Sequence, residues 1–349
     1  YYPTPGGVET RTYYLASELA RRHEVVVYTR SVAGRNLTSF NHEVVEFDYS
    51  RRHGTRGLDF LRKVRSKIRA EKLDVVSLEQ LGIHNLLALS RVAKLYVITI
   101  HGLDVVNASP LLKPIYARVV RRRNAHVVSV SEHLRNVFTE DYGLPEAAVH
   151  VVEHGVDTSL FRPVKQKKQG LFLFVGRFTP EKDPSSCVEA VRILRDKYGM
   201  EDVKLRMIGS GPLLESVRRV VNRYHLNENV KLLGQMSNRE LPPHYSEAMA
   251  TICPRLGGAH TGHVLLESMS CGTPVIVGDL DVATEPYVSE CGFPVPPGDP
   301  AAIAQSMREI HLSPTKAQEK SVSARAEARK HDYSVVAKKL STSYEEWLR

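Results

Sequence analysis

Residues 171–198 read LFLFVGRFTPEKDPSSCVEAVRILRDKY. The first five are apolar without a break, the length of a strand, and Gly176 ends the run. From 183 to 198 apolar residues recur at helical spacing. The stretch therefore predicts strand, loop and helix in succession, one βα unit of a parallel sheet. The same alternation continues outward. Downstream, strands are predicted at 203–208 (VKLRMI), 230–233, 250–253 and 274–277 (PVIV), with helices at 212–225, 262–271 and 300–311. Upstream, strand-like runs lie at 24–28 (EVVVY), 43–47, 74–78, 95–100, 126–130 and 149–152, and helix-period stretches at 8–22, 81–93 and 111–123.

Between the two series, residues 154–170 (HGVDTSLFRPVKQKKQG) are polar and aperiodic and read as an interdomain linker. The chain opens on YYPTPGG, a turn of the kind that follows a strand, so a buried first strand is expected before residue 1. The fold class predicted is α/β, with two Rossmann-like doubly wound domains of similar size.

Length and composition agree. At roughly 100 to 200 residues per domain, 349 residues make two domains. With 42% hydrophobic and 25% charged residues, disorder, collagen and a small disulfide scaffold are excluded. No apolar run approaches the roughly 18 to 20 residues of a membrane-spanning helix, and no secretory signal is visible. Cys187, Cys253, Cys271 and Cys291 form no C-x-x-C pair and read as reduced core thiols of a cytosolic protein. The 48 Lys+Arg against 39 Asp+Glu leave a net +9. Residues 51–72 hold nine basic and two acidic side chains, which accounts for most of that excess.

In open α/β sheets ligands bind beyond the carboxyl ends of the strands. Gly6-Gly7 lies at such a point before a helix and permits close approach of a phosphate, or simply makes a tight turn. No G-x-G-x-x-G or G-x-x-x-x-G-K-[ST] occurs, which argues against a dinucleotide oxidoreductase and a P-loop enzyme. His101 follows the strand at 95–100 and can hydrogen-bond or shuttle a proton there, although a lone His is more often structural. Arg177 and Lys182 share the loop after the strand at 171–175. They suit a diphosphate, against the alternative of an exposed loop with Lys182 paired to Glu181. Gly209 and Gly211 end the next strand, as a ligand-facing or plain turn. In residues 257–272 (GGAHTGHVLLESMSCG) a glycine-rich loop meets a helix N-terminus, able to hold a phosphate, with Glu267 placed to accept hydrogen bonds from a sugar diol. Asp279-Leu280-Asp281 has the form of a metal motif but lacks a third ligand nearby and reads as a solvated loop.

Taken in order, PTPGGVE (3–9), HG (101–102), SVSEHLRNVF (129–138), HGVDTSLFRP (154–163), FVGRFTPEKD (174–183), IGSGP (208–212), VKLLGQMSNREL (230–241) and HVLLESMSCGTPVIVGD (263–279) resemble the retaining glycosyltransferases of the GT-B fold, in the group of family 4-like or group 1 enzymes. The resemblance implies two Rossmann-like domains facing across a cleft: an acceptor-side domain over 1–160, a nucleotide-sugar domain over 161–332 and a C-terminal helix over 333–349 that packs back on the first. It implies hexosyl transfer, with retention and without a metal or other cofactor, from a UDP- or GDP-sugar to a lipid-linked or glycan acceptor. Arg177 and Lys182 match the basic pair at the diphosphate, Glu267 the ribose glutamate, Gly6 and Gly7 the loop facing the donor phosphate, and His101 a histidine beside the transferred sugar. Gly209, Gly211, His260, Thr261, Gly262, His263 and Val264 complete the expected donor site. Preorganised cations and helix N-termini would stabilise the charge that develops on the diphosphate.

The chain departs from that family at three places. Ala259 stands where the first of two glutamates is usual, His154 where Asn is usual, and Glu79 where the preceding strand often ends in His. Either His260, His263 or Glu79 takes over polar contacts, or catalysis is weak or absent; the retained cations and Glu267 favour an active enzyme. A non-catalytic nucleotide-sugar-binding partner subunit and a sugar-nucleotide epimerase are the competing readings. Leu58, Leu61, Val64 and Ile68 recur at helical spacing among the basic residues of 51–72. They suit either a helix on an anionic membrane or one packed on its own sheet. No aromatic residues interleave as nucleic acid binding would require. The expected location is cytoplasmic, peripheral on the inner face of the cell membrane.

Overall fold

The computed structural model describes residues 6–31, 40–47, 56–79, 93–101, 113–123, 125–254, 262–278 and 286–349. The chain divides into two compact units, Tyr1–His154 with Tyr333–Arg349, and Gly155–Asp332.

The first unit runs α1 (Gly7–Leu19), β1 (Val26–Arg30), β2 (Glu43–Phe47), α2 (Arg56–Glu71), β3 (Val75–Leu78), β4 (Leu95–Ile100), α3 (Lys113–Arg123), β5 (His126–Ser129), α4 (Glu132–Glu140) and β6 (Val149–Val151). β1 and β2 form a parallel pair, and β3 to β6 form a parallel sheet in chain order. β4 is buried at every position, as expected of a parallel strand covered on both faces. Ser131 starts α4, its hydroxyl accepting from the Leu134 amide at 3.3 Å, a cap worth about 1 kcal/mol. The helix expected at 81–93 falls outside the described residues.

The second unit runs β7 (Leu171–Val175), α5 (Pro184–Tyr198), β8 (Lys204–Ile208), α6 (Leu214–Arg223), β9 (Val230–Gly234), α7 (Leu241–Glu247), β10 (Ala250–Cys253), α8 (His263–Ser270), β11 (Val275–Gly278), α9 (Pro286–Cys291), β12 (Gly292–Val295), α10 (Pro300–Leu312) and α11 (Pro314–Lys330). Its six parallel strands are ordered β12-β11-β10-β7-β8-β9. The chain starts at the centre, winds one way through β8 and β9, then returns to wind the other way from β10. The order reverses between β7 and β10, the point at which doubly wound sheets open a crevice. α12 (Tyr333–Trp347) belongs to the first unit, where Tyr333, Val336, Ala337 and Leu340 pack against Leu15 of α1 and Leu95, Val97 and Val128 of the sheet.

Residues 154–170 are not a linker. The boundary falls at His154/Gly155, not at 160, and from there the chain is built into the second unit. The Val156 amide donates to the His331 carbonyl at 2.9 Å, and the Thr158 hydroxyl to Asp332 at 2.6 Å. Phe161 is buried, and the Lys167 ammonium donates to the carbonyls of Ser246 and Ala248 and to the Thr273 hydroxyl. The stretch lacks a period because its partners lie far away in sequence. All four cysteines are buried free thiols.

Candidate active site

In the second unit the predicted cations stand at the reversal of strand order. Arg177 follows β7 on an exposed loop, its side chain 74% accessible, and it pairs with Glu181 at 3.4 Å. So Arg177 is an ion-pair partner of Glu181, the carboxylate that the exposed-loop alternative pairs with Lys182. An exposed pair of this kind is worth about 0–1 kcal/mol, so Arg177 can exchange that carboxylate for a ligand phosphate at little cost. Lys182 closes a short 3₁₀ turn, Pro180–Lys182. Burial pushes the Cys253 thiol up to about 12, and the Lys182 charge acts against that rise. Both cations lie on the stretch between β7 and α5.

Gly209 and Gly211 have a structural role as well. At φ 138° and 153° they occupy backbone that side chains rarely adopt. A Cβ on Gly211 would lie 2.7 Å from the Phe178 carbonyl oxygen, and one on Gly209 would overlap the Gly176 carbonyl. The loops after β7 and β8 interlock there: the Phe178 amide donates to the Ser210 carbonyl at 2.9 Å and the Leu213 amide to the Phe178 carbonyl at 2.8 Å. The glycines therefore hold the Arg177 loop in place.

Gly262 starts α8 with no side-chain cap. The first amides of α8, from His263 and Val264 onward, lie at that uncapped end, and Val264 packs against the core beside Leu265 and Leu266. Glu267 is buried on α8, and the Tyr245 hydroxyl donates to its Oε2 at 2.8 Å. Burial pushes the Glu267 carboxyl up to about 7, with the Tyr245 hydrogen bond opposing the rise. Tyr245 was missed in the sequence. It lies 22 residues away on another helix, and no local pattern marks it. Ala259, His260, Thr261 and the Asp279–Asp281 stretch lie outside the described residues.

In the first unit, β3 and β4 lie side by side in parallel register, Leu78 opposite Ile98. Glu79 and His101 follow them directly at their carboxyl ends. His101 is buried, with Nε2 3.2 Å from Glu79 Oε2. Arg11 of α1 is fully buried and donates from Nη1 to the same oxygen at 2.9 Å. Ser77 and Thr99 hydroxyls donate to Oε1 at 3.0 and 3.2 Å. Burial alone would raise the Glu79 carboxyl; the His101 hydrogen bond, then the Arg11 charge, outweigh it and hold it at about 2. The sequence carries a signal for Arg11: it is a charged residue on the buried face of α1 with Leu15 and Ala16.

Gly6 is the N-cap of α1 and Gly7 its first residue, and the Glu9 carboxylate lies over Gly6, where an added Cβ would overlap it. Gly102 lies outside the described residues.

Residues 156–331 match the family described as Glycosyl transferases group 1, and residues 5–160 match Glycosyltransferase Family 4. The chain belongs to the group 1 glycosyltransferases. A phosphatidyl-myo-inositol mannosyltransferase of Mycobacterium leprae is 34% identical over 176 residues, spanning 50% of this chain and 46% of that relative. A GDP-mannose-dependent α-(1-6)-phosphatidylinositol monomannoside mannosyltransferase of Mycolicibacterium smegmatis is 26% identical over 93% of this chain and 90% of its own length. Among solved structures, Anabaena HepE in complex with UDP and glucose superposes with a TM-score of 0.82 at 17% identity, over 98% of this chain and 96% of that one. A glycosyltransferase from Rickettsia africae gives 0.83 at 19% identity, over 100% and 97%. The chain has the GT-B fold and is a transferase.

Proposed function

We propose that the chain transfers a mannose-type hexose from a GDP-sugar to a lipid-linked acceptor, with retention at the anomeric carbon and without a metal ion. The observation that carries the reading is the second unit's constellation: Arg177 and Lys182 at the switch point, with the buried Glu267 on α8. The relatives named for GDP-mannose and phosphatidylinositol lipids supply the substrate class. In the reaction, the bond from C1 to the diphosphate oxygen breaks with its electron pair on the leaving group while an acceptor hydroxyl oxygen bonds to C1 and gives up its proton to the departing diphosphate. Two cations facing the diphosphate favour the charge as it develops. Glu267 accepts hydrogen bonds from the ribose diol, which positions the nucleotide but not the sugar.

Thermal shift with GDP, UDP, ADP and their sugars tests the donor site. A ligand at 100 times its dissociation constant stabilises by about 2.7 kcal/mol, and the largest shift is expected with GDP and GDP-mannose. Arg177→Ala and Glu267→Ala should each abolish it. A shift that survives both substitutions places the donor elsewhere; a larger shift with UDP overturns the choice of base. Product analysis with phosphatidylinositol tests the acceptor and the anomeric outcome.

A further inference from the structure

Two of the three departures from the family pattern, Glu79 and His154, meet at one residue. Glu79 contacts His101 at 3.2 Å, and the His154 ring stacks on the His101 ring with centroids 5.9 Å apart and planes 24° from parallel. We propose that Glu79 is a positioning residue for His101: it holds the proton on Nε2 and so presents Nδ1 as a hydrogen-bond acceptor to a hydroxyl of the bound sugar or of the acceptor. The proposal deepens the transferase reading and rests on it.

The argument is one of satisfied and unsatisfied groups. Glu79 takes four donors: Ser77 and Thr99 on Oε1, Arg11 and His101 on Oε2. An ionised carboxylate only accepts, so the nitrogen facing it must carry hydrogen, and a neutral His101 then has a bare lone pair on Nδ1. That atom is buried and has no hydrogen-bond partner among the described residues. A buried polar atom left without a partner is destabilising, a penalty that a substrate hydroxyl would remove on binding. The charged and titratable groups around the pair are Arg11 from α1, His154 after β6, and Tyr344 from α12, whose phenol is pushed up by burial and by the Glu79 charge.

Removing Glu79 alone would strand the buried Arg11 charge, so the test uses Arg11→Met/Glu79→Gln, which removes both charges together. Imidazole nitrogen shifts of His101, assigned with His101→Gln, report the tautomer without reference to activity. The wild-type protein should show the Nε2–H form alone and the double variant a mixture. In transfer assays the double variant should lose kcat on the order of 10- to 100-fold, as substitutions of histidine-orienting carboxylates do, while the Kd for GDP stays within about twofold. An Nδ1–H tautomer in the wild type, or a double variant with wild-type tautomer and kcat, overturns the proposal. If the double variant does not fold, the wild-type tautomer decides. Failure of the wild type to bind any nucleotide sinks the functional reading, while the tautomer measurement still stands.

Discussion

At the scale of single residues, Glu267 carries the sharpest consequence. Burial lifts its carboxyl to about 7 from 4.5, so without ligand a proton competes for the site near neutrality. Only the carboxylate accepts from a ribose diol. The nucleotide Kd should therefore rise as pH falls below about 7, approaching tenfold per unit, and level off above it. Isothermal titration from pH 5.5 to 8.5 measures this, and Glu267→Gln should bind weakly with no such slope. The folded-state pKa being raised, this group's contribution to stability is present below about 4.5 and is lost as pH rises through about 7. Arg177 and Glu267 were both legible in the sequence, because a cation after a strand and a carboxylate within a helix of a glycine-rich loop are local patterns. Tyr245 and Arg11 were legible only weakly or not at all, since their meaning comes from the partner each one meets.

At the scale of elements, α2 resolves its two readings in part. Val64 and Ile68 are buried, each burial worth roughly 1.5–3 kcal/mol, so this half of the apolar stripe packs in the unit's own core; Leu58 and Leu61 lie outside the described side chains. Lys63, Arg65, Lys67, Arg69 and Lys72 remain exposed. Membrane contact through this exposed basic face would be electrostatic, at about 1 kcal/mol per charge near the surface. Co-sedimentation with phosphatidylserine vesicles should show binding at low salt that fades toward physiological salt. Lys63→Glu/Arg65→Glu/Lys67→Glu should remove it without changing GDP binding; retention by the triple variant would move the contact elsewhere. α11 was missed in the sequence, and the reason is visible: its buried residues are Ala317, Ser321, Ala324 and Ala328, small residues that give almost no hydropathy signal. β12 was missed too, a short strand at the sheet edge carrying Pro294, where proline is tolerated.

At the scale of the whole molecule, the C-terminal helix ties the end of the chain to the first unit. Trp347 stacks on His126 with ring centroids 4.3 Å apart and meets His150 at 4.4 Å with the planes tilted by 38°, and the two imidazoles share a 2.9 Å hydrogen bond. Burial, then the charges of His126 and Arg135, pull the His150 pKa from 6.5 to about 4. Between those values the unfolded chain binds the extra proton, so the folded state loses stability as pH drops from about 6.5 toward 4. Thermal unfolding of wild type and His150→Gln across that range should show the variant losing less; parallel slopes would place the titrating groups elsewhere. Among the described residues no helix is long and apolar enough to cross a membrane.

What the sequence by itself determined is whatever repeats over a few residues: two series of strands alternating with helices, the strand ends at which the candidate site residues stand, and the Arg177–Lys182 loop. Period and local spacing suffice for these because they follow from backbone geometry. Only the tertiary structure decided that 155–170 is packed into the second unit and that Arg11, Glu79 and His101 share one cluster. Arg11 and Glu79 are 68 residues apart, and Glu79 and His101 are 22 apart. Such contacts depend on the order in which strands lie in the sheet and on burial that makes an unpaired charge costly, and no stretch of chain carries that information alone.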